Sequence, residues 1–331
     1  MESSYIPHTA PYLRVAKSSY MTYVKCPRQY YWRYCAELPS IPPTDEMIRG
    51  THIHTVMEEG LTDGVEALWN KAAELGYDED NGVMAMSELL HAIANELGGL
   101  EVVECEVKHE IAEEYNGQKI MWVAIIDGVL RHPDGGLILV ELKTGNMNTG
   151  KLGRTRKELA FYRRVLSLHP EYKNEEITHF LYITPDYIVP DIYASDKLLD
   201  EINKRGKTVW LGSEYGVAIM EQVSSRTVNA FEKSLATTIE KLLSEDYTMK
   251  WNDYFCTTWC DFHLSCEEEM LFGDKLFGDE NDDERITVCA ACNSESNWVG
   301  ERVVYRITGE EGSIPEQILL ISCECGHEQE A

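Results

Sequence analysis

The stretch that most constrains the fold is 101–144, where the hydrophobic period changes from helical to strand-like and stays so for three runs. These are "EVVECEVKHEIA", "KIMWVAIIDGVL" and "LILVELKT", joined by "YNG" and "HPDGG". Asn-Gly and Asp-Gly supply the positive φ angles that tight hairpins need, so the region predicts an antiparallel meander. Before it, residues 44–100 read as helices in "TDEMIRGTHIHTVMEEG", "GVEALWNKAAELG" and "SELLHAIANELG", each with apolar residues near 3.6 spacing and each ending in glycine. After it, "KELAFYRRVLSLH" predicts a helix, "THFLYITPDYI" a strand, and "SSRTVNAFEKSLATTIEKLLSE" a long helix. The order implies an α/β fold with a mixed sheet flanked by helices and a helical lead-in. No internal repeat is present.

With 331 residues the chain can build one large core plus a satellite domain. Its apolar runs are too short to cross a bilayer, and the N-terminus lacks a basic segment followed by a long apolar one; a cytoplasmic protein is expected. In a reducing compartment, ten cysteines clustered at short spacings point to metal rather than disulfides. The net charge of −27 opposes non-specific attraction to nucleic acid. About half of that excess lies beyond residue 266, and 267–284 reads as a solvated acidic linker. Bulk charge therefore says little about any one groove.

Chemistry concentrates in "IIDGVLRHPDGGLILVELKTG". With the turn centred on Asp134 and Gly135, Asp127 falls almost opposite Leu142, within one residue of Glu141. Glu141 and Lys143, two apart on a strand, share a face. Two carboxylates beside a lysine can hold a hard divalent cation and keep a positive charge near an attacked phosphate. An ordinary cross-strand salt bridge explains the same three residues equally well.

This D, E-x-K hairpin, followed by a helix carrying "KELAFY", resembles the PD-(D/E)XK nucleases, in particular their RecB-like branch. Upstream, "RGTHIHTVMEEG" is similar to that branch's G-x-x-x-H segment, with Gly50 and His54 at the matching positions. His52 points elsewhere on the helix and reads as structural. The resemblance implies a restriction-endonuclease-like core and a metal-dependent DNA nuclease, expected to be an exonuclease on single-stranded ends. The alternatives are a catalytically weak DNA-end binding module, or a flap or endonuclease using the same site. Asp127 and Glu141, with His54 and the Leu142 carbonyl, would hold Mg2+ or Mn2+. Lys143 would orient or activate the water, and Tyr162 would position Lys143 or the DNA. One departure stands out: the family's Gln-x-x-x-Tyr helix has Glu158 in the glutamine position.

The stretch "FCTTWCDFHLSCEEE" places Cys256, Cys260 and Cys266 close together, one thiol short of the usual four ligands. In the iron-sulfur subgroup of RecB-like nucleases the fourth comes from an N-terminal segment similar to "SYMTYVKCPRQYYWRY", which implies Cys26 and a [4Fe-4S] cluster closing a 1–266 nuclease domain. That subgroup includes a CRISPR-associated exonuclease and the AddB nuclease domain. Three residues separate Cys256 from Cys260 where the subgroup has two, which leaves zinc open at the same place. Cys35 and Cys105 fit no ligand pattern and read as packing residues.

Residues 285–331 carry a CxxC pair, Cys289 and Cys292, and a CxC pair, Cys323 and Cys325, around two strand-like runs. Four thiols on a hairpin resemble a zinc ribbon, in which His327 could substitute for one thiol but is expected outside the ligand set. Its acidity suits a protein partner, expected among helicase, recombination or integration factors; the chain itself shows no helicase motif. DNA contacts are expected from Lys25 and Arg28, with Arg33 and the aromatic Trp32, and from Lys151, Arg154, Arg156 and Lys157. A solvated basic face over core aromatics is the plainer explanation of each of these residues.

Overall fold

In the computed structural model, which describes residues 12–191, 196–203, 207–272, 298–306, 316–323 and 328–330, a short strand, β1 (Leu13–Ala16), leads into a helical segment broken at a proline. The pieces are α1 (Lys17–Lys25), α2 (Pro27–Tyr30) and a π-helical turn over Tyr31–Cys35. Cys26 is extended (φ −152°, ψ 113°) because a residue preceding proline is sterically excluded from the helical region. Pro27 opens α2, where its missing N–H has no partner to lose.

Three helices follow as expected: α3 (Asp45–Thr62), α4 (Val65–Leu75) and α5 (Asn81–Leu97). Thr44 caps α3 and Asp80 caps α5 through side-chain oxygens that accept from backbone N–H groups. Asp80 starts α5 ahead of the expected "SELLHAIANELG" segment. Gly76 and Gly98, at φ 77° and 74°, close α4 and α5 in the left-handed conformation. Gly60 does not end α3, as expected, but lies inside it. A Cβ there would come within 2.8 Å of Leu68 and 3.0 Å of Leu90, so this glycine serves helix packing.

The meander forms, but two of its three runs are cut. The first becomes β2 (Val102–Glu104) and β3 (Val107–Tyr115), and the second β4 (Gln118–Ile126) and β5 (Gly128–Arg131); the third is β6 (Leu137–Leu142). The breaks fall at Cys105–Glu106, with Glu106 at φ 53°, and at Asp127. Burial explains the cut. Alternate residues of β3 are exposed, whereas every residue of β6 is buried, so the solvated hairpin peels away from strands that need cover on both faces. β5 pairs with β6 in the register Gly128↔Val140, which puts Asp127 opposite Glu141, one residue from the predicted partner Leu142.

A crossover helix, α6 (Thr149–Leu168), leads from β6 to β7 (Ile177–Ile188), parallel to β6 as such connections require. Then come α7 (Lys197–Asn203), β8 (Thr208–Leu211), β9 (Tyr215–Gln222) and α8 (Ser225–Leu243). One sheet has the order β1-β4-β3 and the other β2-β5-β6-β7-β9-β8. This is a mixed six-stranded α/β sheet flanked by helices. On one face Ile138, Val140 and Leu142 of β6 meet Ile53, Val56, Met57, Leu68, Met86 and Leu89 of the lead-in helices in one buried cluster. Each such side chain contributes roughly 1.5–3 kcal/mol by leaving water. Glu141, alternating with them, faces the other side, toward α6.

The chain divides into two compact units. One comprises His8–Met21 and Pro43–Glu240 and holds both of these sheets; the other comprises Met1–Pro7, Thr22–Pro42 and Lys241–Ala331. The second holds α9 (Asp253–Trp259), α10 (His263–Phe272) and an antiparallel sheet of β10 (Trp298–Arg306), β11 (Glu316–Cys323) and β12 (Glu328–Glu330). The predicted linker thus begins as helix, in α10. Cys323 ends β11, while Cys289, Cys292, Cys325 and His327 lie outside the described residues. Among the described residues no helix is long and apolar enough to cross a membrane.

Candidate active site

The two strand breaks put two carboxylates side by side. Residues 107–115 pair with 118–126 so that Val107 faces Ile126, which brings the next residues out, Glu106 and Asp127, together at the sheet junction. The Glu106 amide donates to the Ile126 carbonyl at 2.9 Å, and the Cys105 thiol donates to the Asp127 carbonyl at 2.8 Å. Cys105 therefore fastens the break as well as packing. From α3, His54 brings Nδ1 to 3.5 Å from Glu106 Oε1 and 3.7 Å from Asp127 Oδ2. One ligand atom from each of the three lies within 4.8 Å of the others. One imidazole and two carboxylates are a donor set for a divalent cation. Gly50, one turn before His54, explains the G-x-x-x-H spacing: a Cβ there would sit 3.0 Å from Thr144 Oγ1, just beyond β6.

Beside this trio lies a second group. Glu141 is 1% exposed, and Lys143, on the same face, pairs with it and with Glu158 Oε2 at 2.6 Å. Glu158 and Tyr162 come from successive turns of α6 and share its buried face. Lys17, at the start of α1, places Nζ 3.1 Å from Glu141 Oε1, 3.8 Å from Glu158 Oε2 and 5.0 Å from the centre of the Tyr162 ring. The Leu142 amide donates to Asp127 Oδ2 at 2.7 Å. Amide and carbonyl of one strand residue point to the same side, so the Leu142 carbonyl also faces the Asp127 edge.

Charge is distributed unevenly here. Burial, then the Glu141 carboxylate, raise the Asp127 carboxyl well above its ordinary range, against the pull of His54 and Lys17. Burial acts the same way on Glu141, but Lys17 and Lys143 outweigh it and hold Glu141 below its ordinary value. Burial dominates at Glu158 and raises it. Burial works against the charged forms of His54 and Lys143, yet the carboxylates around each raise both. Glu141 Oε2 is buried without a hydrogen-bond partner. Such an atom costs roughly 1–3 kcal/mol, which a bound cation would offset. Donor chemistry and this orphaned oxygen together fit a divalent metal. A cavity of about 890 Å3 opens over His54, Glu106 and Asp127 and is also lined by Lys17, Arg49 and Asp186.

His54, Asp127, Glu141, Leu142, Lys143, Glu158 and Tyr162 thus come together. Glu106 and Lys17 join them, and sequence reasoning singled out neither. The Asn116–Gly117 hairpin register held the signal for Glu106; Lys17 comes from a distant segment and had none. The trio whose ligand atoms lie within 4.8 Å of one another includes Glu106, while Glu141 beside it pairs with Lys17 and Lys143. His52 packs edge-on against Tyr77, with ring centres 5.3 Å apart.

The predicted DNA contacts divide. Arg154 and Lys157 are exposed on α6, and Lys151, also exposed, bonds the Asn146 carbonyl. Arg156 is not an outward cation: it grips buried Glu221 at 2.7 and 3.0 Å, and Glu221 also accepts from Tyr182 and pairs with Lys207. In the other unit Lys25 lies 4.0 Å over the Phe255 ring, and Arg28 pairs with Glu269 at 2.8 Å. Arg33 lies 3.7 Å from Asp261. Trp32 is buried against Phe262 and Cys266, so its ring is not open to bases. Cys26, Cys256 and Cys266 are buried and Cys260 half-buried. After burial, the charges of Cys256 and Cys26 raise the Cys260 thiol, and those of Cys260 and Cys26 act likewise on Cys266. Cys256 and Cys26 are thus within electrostatic reach of Cys260, and Cys260 and Cys26 within reach of Cys266. Cys35 meets the Tyr247 hydroxyl at 3.5 Å.

Two solved structures are similar to the chain at low identity. SSO0001 is 14% identical, with 78% of this chain and 88% of that one covered and a TM-score of 0.35. A phage-related exonuclease from Haemophilus somnus 129PT is 12% identical, with 71% and 96% covered and a TM-score of 0.29. No curated protein matches. The decisive match is to a family: residues 14–267, spanning both site groups and the four cysteines, match the PD-(D/E)XK nuclease superfamily, and the chain belongs to it.

Proposed function

We propose that this chain is a Mg2+- or Mn2+-dependent deoxyribonuclease that hydrolyses phosphodiesters at single-stranded DNA ends. The observation that carries the reading is the His54–Glu106–Asp127 trio on a cavity floor, beside a buried glutamate that two lysines keep ionised. A cation held by the trio, with Glu141 and the Leu142 carbonyl in reach, would act as Lewis acid on the phosphoryl group. Lys143 stays an ammonium, because Glu141 and Glu158 raise its pKa against burial. It is therefore placed to orient the water and to balance charge on the phosphoryl oxygens. Tyr162, buried beside Glu141, keeps its phenol protonated and walls off that side of the carboxylate. Arg154 and Lys157 offer backbone contacts along α6.

Cys26, Cys256, Cys260 and Cys266 are proposed to hold a [4Fe-4S] cluster. In support, all four belong to one compact unit, where Cys26, Cys256 and Cys266 are buried and Cys26 and Cys260 both act electrostatically on Cys266. A zinc ribbon over 285–331, supported by the antiparallel β10–β11 pair, would recruit a protein partner such as a helicase or a recombination or integration factor. Free thiols at these spacings suit the reducing cytoplasm. The second reading, a weak enzyme serving as a DNA-end binding module, is favoured by Glu158, which adds a negative charge beside the site.

Degradation of end-labelled linear single-stranded DNA, compared with a closed circle, tests the reading with wild type and Asp127→Ala in Mn2+ or Mg2+. Loss of the linear strand alone, abolished by the substitution, supports an exonuclease. Cutting of the circle as well means an endonuclease, and cutting of neither leaves the binding module.

A further inference from the structure

Glu141, Lys143, Glu158 and Lys17 form a closed ring of alternating charge. Lys143 bridges the two glutamates on one side, at 2.6 Å from Glu158. Lys17 bridges them on the other, at 3.1 Å from Glu141 and 3.8 Å from Glu158. With one ammonium alone, two buried carboxylates would leave a net negative charge against an incoming phosphate. The second carboxylate, Glu158, and the second ammonium, Lys17, face one another at 3.8 Å. Of the cations lining the cavity, Arg49 is already locked in two carboxylate pairs, with Asp80 and Asp186 at 2.7–3.0 Å. Lys17 lines that cavity with its side chain 26% exposed.

We propose that Lys17 is a second active-site ammonium, which balances Glu158 and contacts the phosphate of the bound DNA end. The inference rests on the nuclease reading for its substrate, and it makes a demand that reading does not. Lys17 and Glu158 must be worth more together than apart. Removing the ammonium alone leaves Glu158 to repel DNA, while removing both charges leaves a site balanced by Lys143.

The test compares wild type, Lys17→Met, Glu158→Gln and the double variant in two assays. The first is kcat/KM on linear single-stranded DNA in Mn2+, with Asp127→Ala as the inactive control. The second is fluorescence anisotropy of a labelled oligonucleotide in EDTA over a range of salt. The Lys17→Met variant is expected to lose roughly 10–100-fold in kcat/KM and about one unit of the salt slope of binding. The double variant is expected to recover at least ~5-fold over Lys17→Met, an interaction that a merely structural lysine would not give. Cleavage by Lys17→Met at the wild-type rate, or a double variant no better than it, overturns the proposal and leaves the nuclease reading intact. Absence of cleavage by wild type, with oligonucleotide binding that still depends on Lys17 and is restored in the double variant, sinks the enzyme and upholds the phosphate contact. Binding by no variant, wild type included, overturns both.

Discussion

The Leu142 amide donates a 2.7 Å hydrogen bond to Oδ2 of Asp127, across the break where one strand passes from the small sheet to the large one. That bond orients a carboxylate whose ionised form is disfavoured by burial and by Glu141. An acid with a raised folded pKa carries stability that is present below its ordinary 3.8 and lost as pH rises through the raised value. Metal-free protein should therefore be less stable at pH 8 than at pH 6, and saturating Mn2+ should raise Tm at pH 8 by roughly 5–10 °C. Asp127→Asn should abolish the Mn2+ shift while matching or exceeding wild type in EDTA. A full shift in the variant would remove Asp127 from the ligand set.

Glu106 is expected to act as a ligand. Its carboxylate lies 3.5 Å from His54 and within 4.8 Å of Asp127. Glu106→Gln should raise the Mn2+ concentration needed for half-maximal activity by at least ~10-fold. An unchanged Mn2+ titration would reduce Glu106 to a residue that tunes His54.

Lys143→Met should lose activity and stability together. It leaves Glu158 and buried Glu141 with Lys17 alone, and breaking a buried pair costs about 3–5 kcal/mol. The lower end is expected, because Lys17 remains. Urea denaturation of the metal-free protein reads the loss; a difference under ~1 kcal/mol would show that Lys17 suffices for Glu141.

Arg49 ties α5's cap to β7 through Asp80 and Asp186. Burial opposes ionisation of Asp80, but the Arg49 hydrogen bonds outweigh it and lower its pKa from 3.8. The stability this pair contributes is present above 3.8 and lost as pH falls through the lower folded value. The gap in stability between wild type and Arg49→Met should be largest near neutral pH and shrink below about pH 4. A gap that stays constant to pH 3 would mean Arg49 acts by packing alone.

Cys26→Ser or Cys266→Ser should remove iron and its visible absorption from anaerobically purified protein. In Cys266→Ser the Trp32 indole also loses its 3.3 Å sulfur partner. Stoichiometric zinc with no iron in the wild type would replace the cluster with the alternative metal.

Much of the site was written in local patterns. Asp127, Glu141 and Lys143 are legible because strand alternation and an Asp-Gly turn place them with an error of one residue. His54 above Gly50, Glu158 with Tyr162, and Cys26 are singled out by the family resemblance, and helix spacing then explains why each helical pair shares a face. What the sequence by itself determined is what depends on near neighbours: the periods, the caps, the turns and the face each side chain takes. Tertiary structure alone decided that the meander splits between two sheets, which turns Glu106 inward beside Asp127. It also decided that Arg156 serves buried Glu221, and that Lys17 closes a ring with residues more than a hundred positions away. Charge pairing is set by what packing brings together after the chain collapses, and no local period records it.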